Sequence, residues 1–287
     1  MKAAKYDPDA SIGRIVLPYG ETGVGKTVSI FASAPLPLAY LAGEPRPYRM
    51  SARAAERKEL IEDETWFPFE YTTWSELLDF IFTNDFTKYA TVALDGLSHI
   101  MIGDLAETIA EKSFEAQLQD LEGSTVAADI KNKAIKELKS IINRNKLSLE
   151  GYGAISPEMS RLFKGLGLIA QQGKLVIITA KLQEYPKWDR TASAAPSLKG
   201  QEFAKHFAGF CDLIGLVEER FEVSKDKNGN PIQGDKPRKV FPPKISFECP
   251  ADQTFIHKFT GVRPKKGGAP VELVRIPLDF KRIMDEF

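Results

Sequence analysis

The feature that most constrains the fold of this chain is a glycine cluster between two apolar runs near the N-terminus. Residues 15–17 form the first run, and residues 27–30 begin the second. Three glycines within six positions indicate a backbone shape that other residues cannot adopt, because glycine weakens both strands and helices. Their spacing, followed by Lys26 and Thr27, matches the pattern G-x-x-x-x-G-K-[ST] of a phosphate-binding loop.

This pattern predicts a nucleotide site built by one short segment. The glycines let successive backbone N–H groups point at an anion, and the helix that follows adds the positive end of its dipole. Lys26 then reaches the β- and γ-phosphates of ATP, and the Thr27 hydroxyl holds Mg²⁺. The alternative is a glycine-rich turn with an exposed lysine, whereas a dinucleotide site is disfavoured because G-x-G-x-x-G is absent. The residues predicted to bind nucleotide are Gly20, Glu21, Thr22, Gly23, Val24, Gly25, Lys26 and Thr27.

Charge and cysteine content exclude several classes of protein. The formal net charge is zero, so any contact with nucleic acid has to come from a local patch. Cys211 and Cys249 lie far apart and outside any CxxC, which predicts neither a metal cluster nor a disulfide framework. The first residues lack the apolar core of a signal peptide, and no apolar run approaches the length of a membrane span. We therefore expect a cytoplasmic protein with no membrane partner.

Alternating strand-like and helix-like segments predict an α/β fold. Strand-like runs at residues 38–42, 66–73, 91–94 and 174–181 are separated by helix-like runs. Such alternation is typical of a mostly parallel central sheet flanked by helices. We assign residues 1–223 to this core.

The remaining residues, 224–287, predict a small, basic, β-rich extension. A turn at Asn228 and Gly229 is expected to join two short strands, and a final helix is expected near residues 278–287. The basic residues of this extension either follow a phosphate backbone or form a solvated tail.

Four further segments give local expectations. Residues 48–63 predict one polar helix, and Ser156, Pro157 and Glu158 together predict a helix start. Residues 183–200, which are rich in proline, serine and charge, predict a long loop. Residues 129–147 predict an amphipathic helix whose lysine-rich face is either solvated or a nucleic-acid surface.

Hydrolysis needs a metal-side acid, and one strand end supplies a candidate. Asp95 follows the mostly apolar residues 91–94, at the edge of the sheet where ligands bind in such folds. We expect Asp95 to hold Mg²⁺ together with Thr27, although an aspartate before Gly96 also suits a turn.

Two other strand ends supply candidate catalytic groups. Glu44 ends the strand after the first helix and is either a water-activating base or a turn residue. Thr179 and Lys181 end another strand and are candidates for sensing the γ-phosphate, but Thr179 also suits a buried strand position. The predicted catalytic residues are Lys26, Glu44, Thr179 and Lys181.

The order of these features resembles the RecA-type ATPase core over about residues 12–220. More closely, the chain is similar to phage-encoded RecA-like nucleotide-binding proteins that act in single-strand annealing recombination. The resemblance implies an ATPase that uses ATP and Mg²⁺, with Glu44 as the catalytic acid and Asp95 as the metal-side acid. It also implies single-stranded DNA as a partner, a homo-oligomeric ring or filament, an annealing or single-strand-binding protein partner, and the host cytoplasm as the location.

The loop after the sensor strand contacts single-stranded DNA in RecA-type proteins, and residues 183–200 occupy that place here. They include Lys187, Trp188, Arg190 and Lys199. Cations for phosphates together with an aromatic face for bases suit single strands. The alternative is a flexible surface loop in which the tryptophan has no binding role.

Other functions compete with a DNA-stimulated ATPase. A nucleotide-gated scaffold or loader would recruit another DNA-processing protein and hydrolyse little ATP itself. A small-molecule kinase is disfavoured because no arginine-rich lid follows the central helices, and a GTPase because no N-K-x-D motif follows the loop.

Overall fold

The structure of the chain is a computed structural model. It describes residues 13–44, 48–62, 65–123, 128–142, 149–184, 194–198, 207–224, 236–247, 258–259, 265–266, 269–270 and 276–286.

Strands and helices alternate along the first half of the chain, and strands predominate in the last third. The strands are β1 (Arg14–Gly20), β2 (Leu38–Ala42), β3 (Trp66–Glu70), β4 (Thr91–Asp95), β5 (Leu175–Ile178), β6 (Ala180–Glu184), β7 (Ala194–Pro196), β8 (Leu213–Glu222), β9 (Arg238–Ser246), β10 (Lys258–Phe259), β11 (Lys265–Lys266), β12 (Ala269–Pro270) and β13 (Ile276–Pro277). The α-helices are α1 (Lys26–Ser33), α2 (Tyr48–Ala54), α3 (Lys58–Glu62), α4 (Trp74–Thr83), α5 (Leu97–Ile100), α6 (Ala106–Gly123), α7 (Ala128–Ile142), α8 (Leu149–Ala170) and α9 (Phe280–Glu286). A π-helical turn, Met101–Leu105, joins α5 to α6, and a 3₁₀ turn, Phe207–Phe210, precedes β8.

One large sheet organises the described residues. Its order is β13-β9-β8-β1-β5-β4-β2-β3, and the six strands from β8 to β3 are parallel to their neighbours. β9 and β10 pair antiparallel with β8, and β13 pairs antiparallel with β9. The predicted α/β class, with a mostly parallel sheet and additional C-terminal strands, is confirmed.

Alternating apolar side chains of the central strands fill two cores, one on each face of the sheet. In β1, Ile15 and Leu17 pack with α4, α5 and α8, whereas Val16 packs on the opposite face with α1, α2 and α9. This arrangement follows from the two-residue repeat of a strand, which sends successive side chains to opposite faces. Helices therefore cover both faces and leave the ends of the parallel strands free to form a site.

The C-terminal strands extend the same sheet. β9 pairs with β8, which is itself paired with β1. Phe280 and Ile283 of α9 are buried on the face that carries α1, and the Phe280 N–H donates a 2.9 Å hydrogen bond to Ser33 Oγ. The boundary between residues 223 and 224 stays a prediction, but strand pairing and core packing join its two sides.

Two helix predictions were wrong in detail. The helix expected to begin at Ser156 begins at Leu149, and Pro157 lies inside it. Buried Ile155 and Met159 flank the proline, so core packing continues the helix although proline lacks one N–H donor. The single polar helix expected at residues 48–63 is divided into α2 and α3, because the backbone turns at Glu56, which has a φ of 52°.

Two strand predictions also need correction. The strands expected to be short around Asn228 and Gly229 are long, with 10 residues in β8 and 9 in β9, while the turn itself lies outside the described residues. Residues 183–200 are not loop throughout, because β7 pairs antiparallel with the end of β6.

Among the described helices, none has the length and apolar character needed to cross a bilayer.

Candidate functional site

The glycine cluster forms a tight connection between β1, which ends at Gly20, and α1, which begins at Lys26. Gly23 and Gly25 have φ values of 86° and 108°, a region that side chains with a Cβ rarely adopt. The Lys26 Nζ donates 2.8 Å hydrogen bonds to the carbonyl oxygens of Gly20 and Glu21. The ammonium group therefore lies across the loop, beside the first turn of α1, whose N–H groups have no helical acceptors.

Asp95 is the centre of a hydrogen-bond network made of hydroxyl groups. Thr27 Oγ1 donates to its Oδ2 at 2.7 Å, and the Tyr40 hydroxyl donates to the same oxygen at 2.6 Å. Thr179 Oγ1 donates to Oδ1. Because Asp95 is only 8% exposed, these donors compensate for the lost hydration of its carboxyl group.

The Tyr40 hydroxyl acts in this network as a permanent donor. Burial raises the pKa of Tyr40 far above its ordinary value, and the negative charge of Asp95 raises it further. The ring is wedged between Phe31 and Tyr48, with ring centroids 4.9 and 5.3 Å away. The position of the hydroxyl is therefore set by packing as well as by hydrogen bonding.

Glu44 and Lys181 form an ion pair beside this network, with Lys181 Nζ 3.3 Å from Glu44 Oε1. Lys181 belongs to β6, whose backbone is tied to the segment after β4. The Lys181 N–H donates to Ser98 Oγ at 2.9 Å, and Ser98 Oγ donates to the Ser197 carbonyl at 2.8 Å. Ser98 therefore links β6, which carries Lys181, to the residue that directly follows β7.

A cavity of about 300 Å³ brings the predicted groups together. Its walls include all the described residues predicted to be catalytic or metal-binding, namely Lys26, Thr27, Glu44, Asp95, Thr179 and Lys181. Glu44 and Tyr48 also border a second cavity of about 380 Å³ on the other side. The Glu44 side chain thus lies between two spaces and has room for a water molecule beside it.

Not every predicted nucleotide-binding residue reaches the cavity. Thr22, Gly23 and Gly25 line it, but Val24 is buried among the apolar residues of α1 and α2. Gly20 and Glu21 instead provide the carbonyl oxygens that hold Lys26. The predicted DNA contacts Lys187, Trp188, Arg190 and Lys199 lie outside the described residues.

Two residues of the network were missed by the sequence analysis. Tyr40 lies in the middle of an otherwise apolar strand, and the only sequence signal was that a buried tyrosine needs a partner for its hydroxyl. Ser98 had no signal that separates it from an ordinary helical serine, because its partners come from a segment far along the chain.

The donor set fits a Mg²⁺–triphosphate ligand. In the described part of the chain, no group of three or more His, Cys, Asp or Glu side chains is arranged to hold a metal by itself. Thr27 and Asp95 offer one hydroxyl and one carboxylate at hydrogen-bond distance. Mg²⁺ in nucleotide sites needs only one or two protein oxygens, because waters and phosphate oxygens supply the others.

Comparison with known proteins finds structural likeness but no related sequence. No protein-family model matches the sequence, and no curated protein matches it. Among solved structures, the chain is similar to a KaiC-like protein of the hyperthermophilic archaeon Pyrococcus horikoshii OT3, with 13% identity and a TM-score of 0.37. The alignment covers 85% of this chain and 89% of that chain. Likeness at this level carries no conclusion about activity.

Proposed function

We propose that the protein is a Mg²⁺-dependent ATPase that acts on single-stranded DNA in recombination or annealing. The observation that carries the ATPase part is the 2.7 Å hydrogen bond between Thr27, at the start of α1, and Asp95, at the end of β4. The bond supports the proposal because the two residues expected to hold Mg²⁺ then lie together beside the glycine loop and Lys26. A glycine-rich turn without a ligand would not need a buried carboxylate at that position.

The phosphate end of the site combines several sources of positive potential. Lys26 supplies a fixed charge for the terminal phosphates, and the first turn of α1 supplies N–H donors. Bound Mg²⁺ would neutralise charge on the phosphate oxygens, held by Thr27 and Asp95. Tyr40 and Thr179 keep the Asp95 carboxylate in a fixed orientation.

Glu44 is the group best placed to act as the base. It lines the same cavity as Lys26 and Thr27, and it borders a second cavity from which water can approach. A carboxylate in that position accepts the proton of an attacking water molecule. Lys181 orients the carboxylate through the 3.3 Å ion pair.

The DNA part of the proposal rests on the residues that connect β6 to β7 in the sequence. Lys181 lies in β6, and in the sequence β6 is followed by Lys187, Trp188 and Arg190 before β7 begins. Single-stranded DNA bound at these residues would shift β6 and so change the position of Lys181 relative to Glu44. The resemblance to RecA-like phage proteins supports the same placement.

A second function is favoured by the same ion pair. If the ion pair holds the Glu44 carboxylate away from the attacking water, ATP binds without being hydrolysed. The protein would then bind ATP, hydrolyse little, and act as a nucleotide-gated scaffold or loader for another DNA-processing protein.

ATP binding and turnover separate these possibilities. We expect wild-type turnover to require Mg²⁺ and to rise with single-stranded DNA. Lys26→Ala should abolish tight ATP binding, whereas Lys164→Ala, a matched change at an exposed lysine of α8, should not. Tight ATP binding without turnover, with DNA present, would favour the scaffold. Wild-type affinity in a folded Lys26→Ala variant would contradict the phosphate-loop assignment.

A further inference from the structure

The β9 strand passes directly beside the phosphate loop. A Cβ built on Gly25 would lie 3.6 Å from the ring carbons Cγ and Cδ of Pro243 and 3.7 Å from Phe241 Cε2. Lys239 Nζ donates a 3.4 Å hydrogen bond to the Gly23 carbonyl. Alternate residues of β9 therefore contact the two loop glycines that have positive φ.

The direction of a bound nucleotide follows from the strand order. Asp95 and Glu44 lie at or just beyond the ends of β4 and β2, and both strands are on the β5 side of β1. The terminal phosphates must therefore lie toward that side of the loop. Since a nucleotide is elongated, its nucleobase lies on the opposite side of the loop from the terminal phosphates, where β8 and β9 lie.

Phe241 of β9 offers an aromatic surface on which the nucleobase can stack. Its side chain is 48% exposed, in the part of β9 between Val240 and Lys244 where the pairing with β8 is irregular, and the edge of its ring lies 3.7 Å from the position that a Cβ on Gly25 would take. Single exposed apolar residues are ordinary, so exposure alone would mean little. The contact with the start of α1 distinguishes Phe241, because an aromatic face there can stack against a base of any type.

The hairpin holds this ring in place. Arg220 of β8 donates a 3.4 Å hydrogen bond to the Phe241 carbonyl. Lys239 forms an ion pair with Glu219 in addition to its bond with the loop. These contacts link the part of β9 that carries Phe241 to β8 and to the loop.

We propose that Phe241 is the stacking platform for the base of the nucleotide, so that β9 completes a site begun by the N-terminal loop. This proposal rests on the proposed nucleotide function. It assigns to the C-terminal strands a direct part in binding the nucleotide.

Calorimetric titration with Mg²⁺–ATP and with Mg²⁺–tripolyphosphate, which lacks a base, tests the proposal. Phe241→Ala should weaken ATP binding by about tenfold and leave tripolyphosphate binding unchanged. Phe241→Trp should restore ATP binding. Phe221→Ala is the matched control, because Phe221 lies in β8 of the same hairpin and is 55% exposed. It should change neither affinity.

The competing position for the nucleobase is the wall of the cavity itself, which Met50 of α2 lines and Phe241 does not; Met50 is 67% exposed. Loss of ATP affinity in Met50→Ala, with Phe241→Ala unaffected, would overturn the proposal. Equal losses for ATP and tripolyphosphate in Phe241→Ala would do the same, since they would show a structural role. If wild-type protein binds both ligands equally, the proposed contact with the nucleobase is wrong but the phosphate-loop assignment stands. If wild-type protein binds neither ligand, the proposed nucleotide function is itself wrong.

Discussion

Lys181 Nζ lies 3.3 Å from Glu44 Oε1, so the proposed water-activating residue is paired with a side chain of β6, the strand that precedes the candidate DNA contacts in the sequence. A single ion pair thus joins the phosphate end of the cavity to the β6–β7 hairpin. If Glu44 is the base, as we propose, a movement of β6 would change the position of its carboxylate and so the rate of hydrolysis.

Glu44→Gln should leave ATP bound and stop its hydrolysis. The amide keeps the shape of the side chain but cannot accept a proton, and no phosphate contact is removed. Single-turnover hydrolysis and ATP affinity, measured on the same preparation, check this. Glu111→Gln is the control, since Glu111 is an exposed residue of α6 that lines neither cavity. Hydrolysis at the wild-type rate in Glu44→Gln would make Glu44 a turn residue.

Asp95→Asn should raise the Mg²⁺ concentration needed for half-maximal turnover by about tenfold or more, because a neutral amide is a weaker Mg²⁺ ligand. Thr27→Ser, which keeps the hydroxyl, should behave like the wild type. A Mg²⁺ titration of turnover at saturating ATP distinguishes the two variants. If Asp95→Asn keeps the wild-type Mg²⁺ requirement, the Thr27–Asp95 pair only supports the fold.

Tyr40→Phe should reduce stability at neutral pH by about 1–3 kcal/mol, since one buried donor to Asp95 is lost. The raised pKa of Tyr40 also predicts a pH dependence. Above about pH 10 the unfolded chain releases the tyrosine proton while the folded chain keeps it, so the free energy of unfolding falls by about 1.4 kcal/mol per pH unit from this group. The variant lacks that group, and its stability should approach the wild-type value as the pH rises.

Urea unfolding of both proteins between about pH 8 and about pH 11 measures this difference. Parallel curves over that range would show that Tyr40 titrates equally in the folded and unfolded chains, contrary to the burial of its hydroxyl.

Changes at the candidate DNA contacts should have two distinct effects. Lys187→Ala or Arg190→Ala should weaken oligonucleotide binding for every sequence and flatten its salt dependence, because each removes a phosphate contact. Trp188→Ala should cost about 1–3 kcal/mol of stacking with little change in salt slope. Anisotropy titrations at several salt concentrations measure both effects. Wild-type protein that neither binds DNA nor responds to it, with ATP and Mg²⁺ present, would leave the scaffold as the better account.

The part of the site that could be predicted from sequence is the part set by local pattern. Glycine spacing locates the loop, and apolar runs that end in Glu44 and Asp95 bring these residues to one edge because parallel strands share a direction. The contact of Phe241 with Gly25 joins distant parts of the chain and leaves no trace in either local pattern. The start of α8 was missed for a related reason, because burial of Ile155 and Met159 overrides the local preference of Pro157.

The pairing of β1 has a consequence for how the chain folds while it is being synthesised. β1 lies between β5 and β8, and the Ile15 N–H donates a 2.8 Å hydrogen bond to Asp212, 197 residues away. Both neighbours of β1 leave the ribosome long after the loop does, and pairings of such high contact order form slowly. Until β5 has been synthesised, the apolar β1 strand has two open edges that can pair with other nascent chains, and one edge stays open until β8 has been synthesised. We therefore expect nucleotide-binding competence to arise late in synthesis, and nascent chains to depend on chaperones until then.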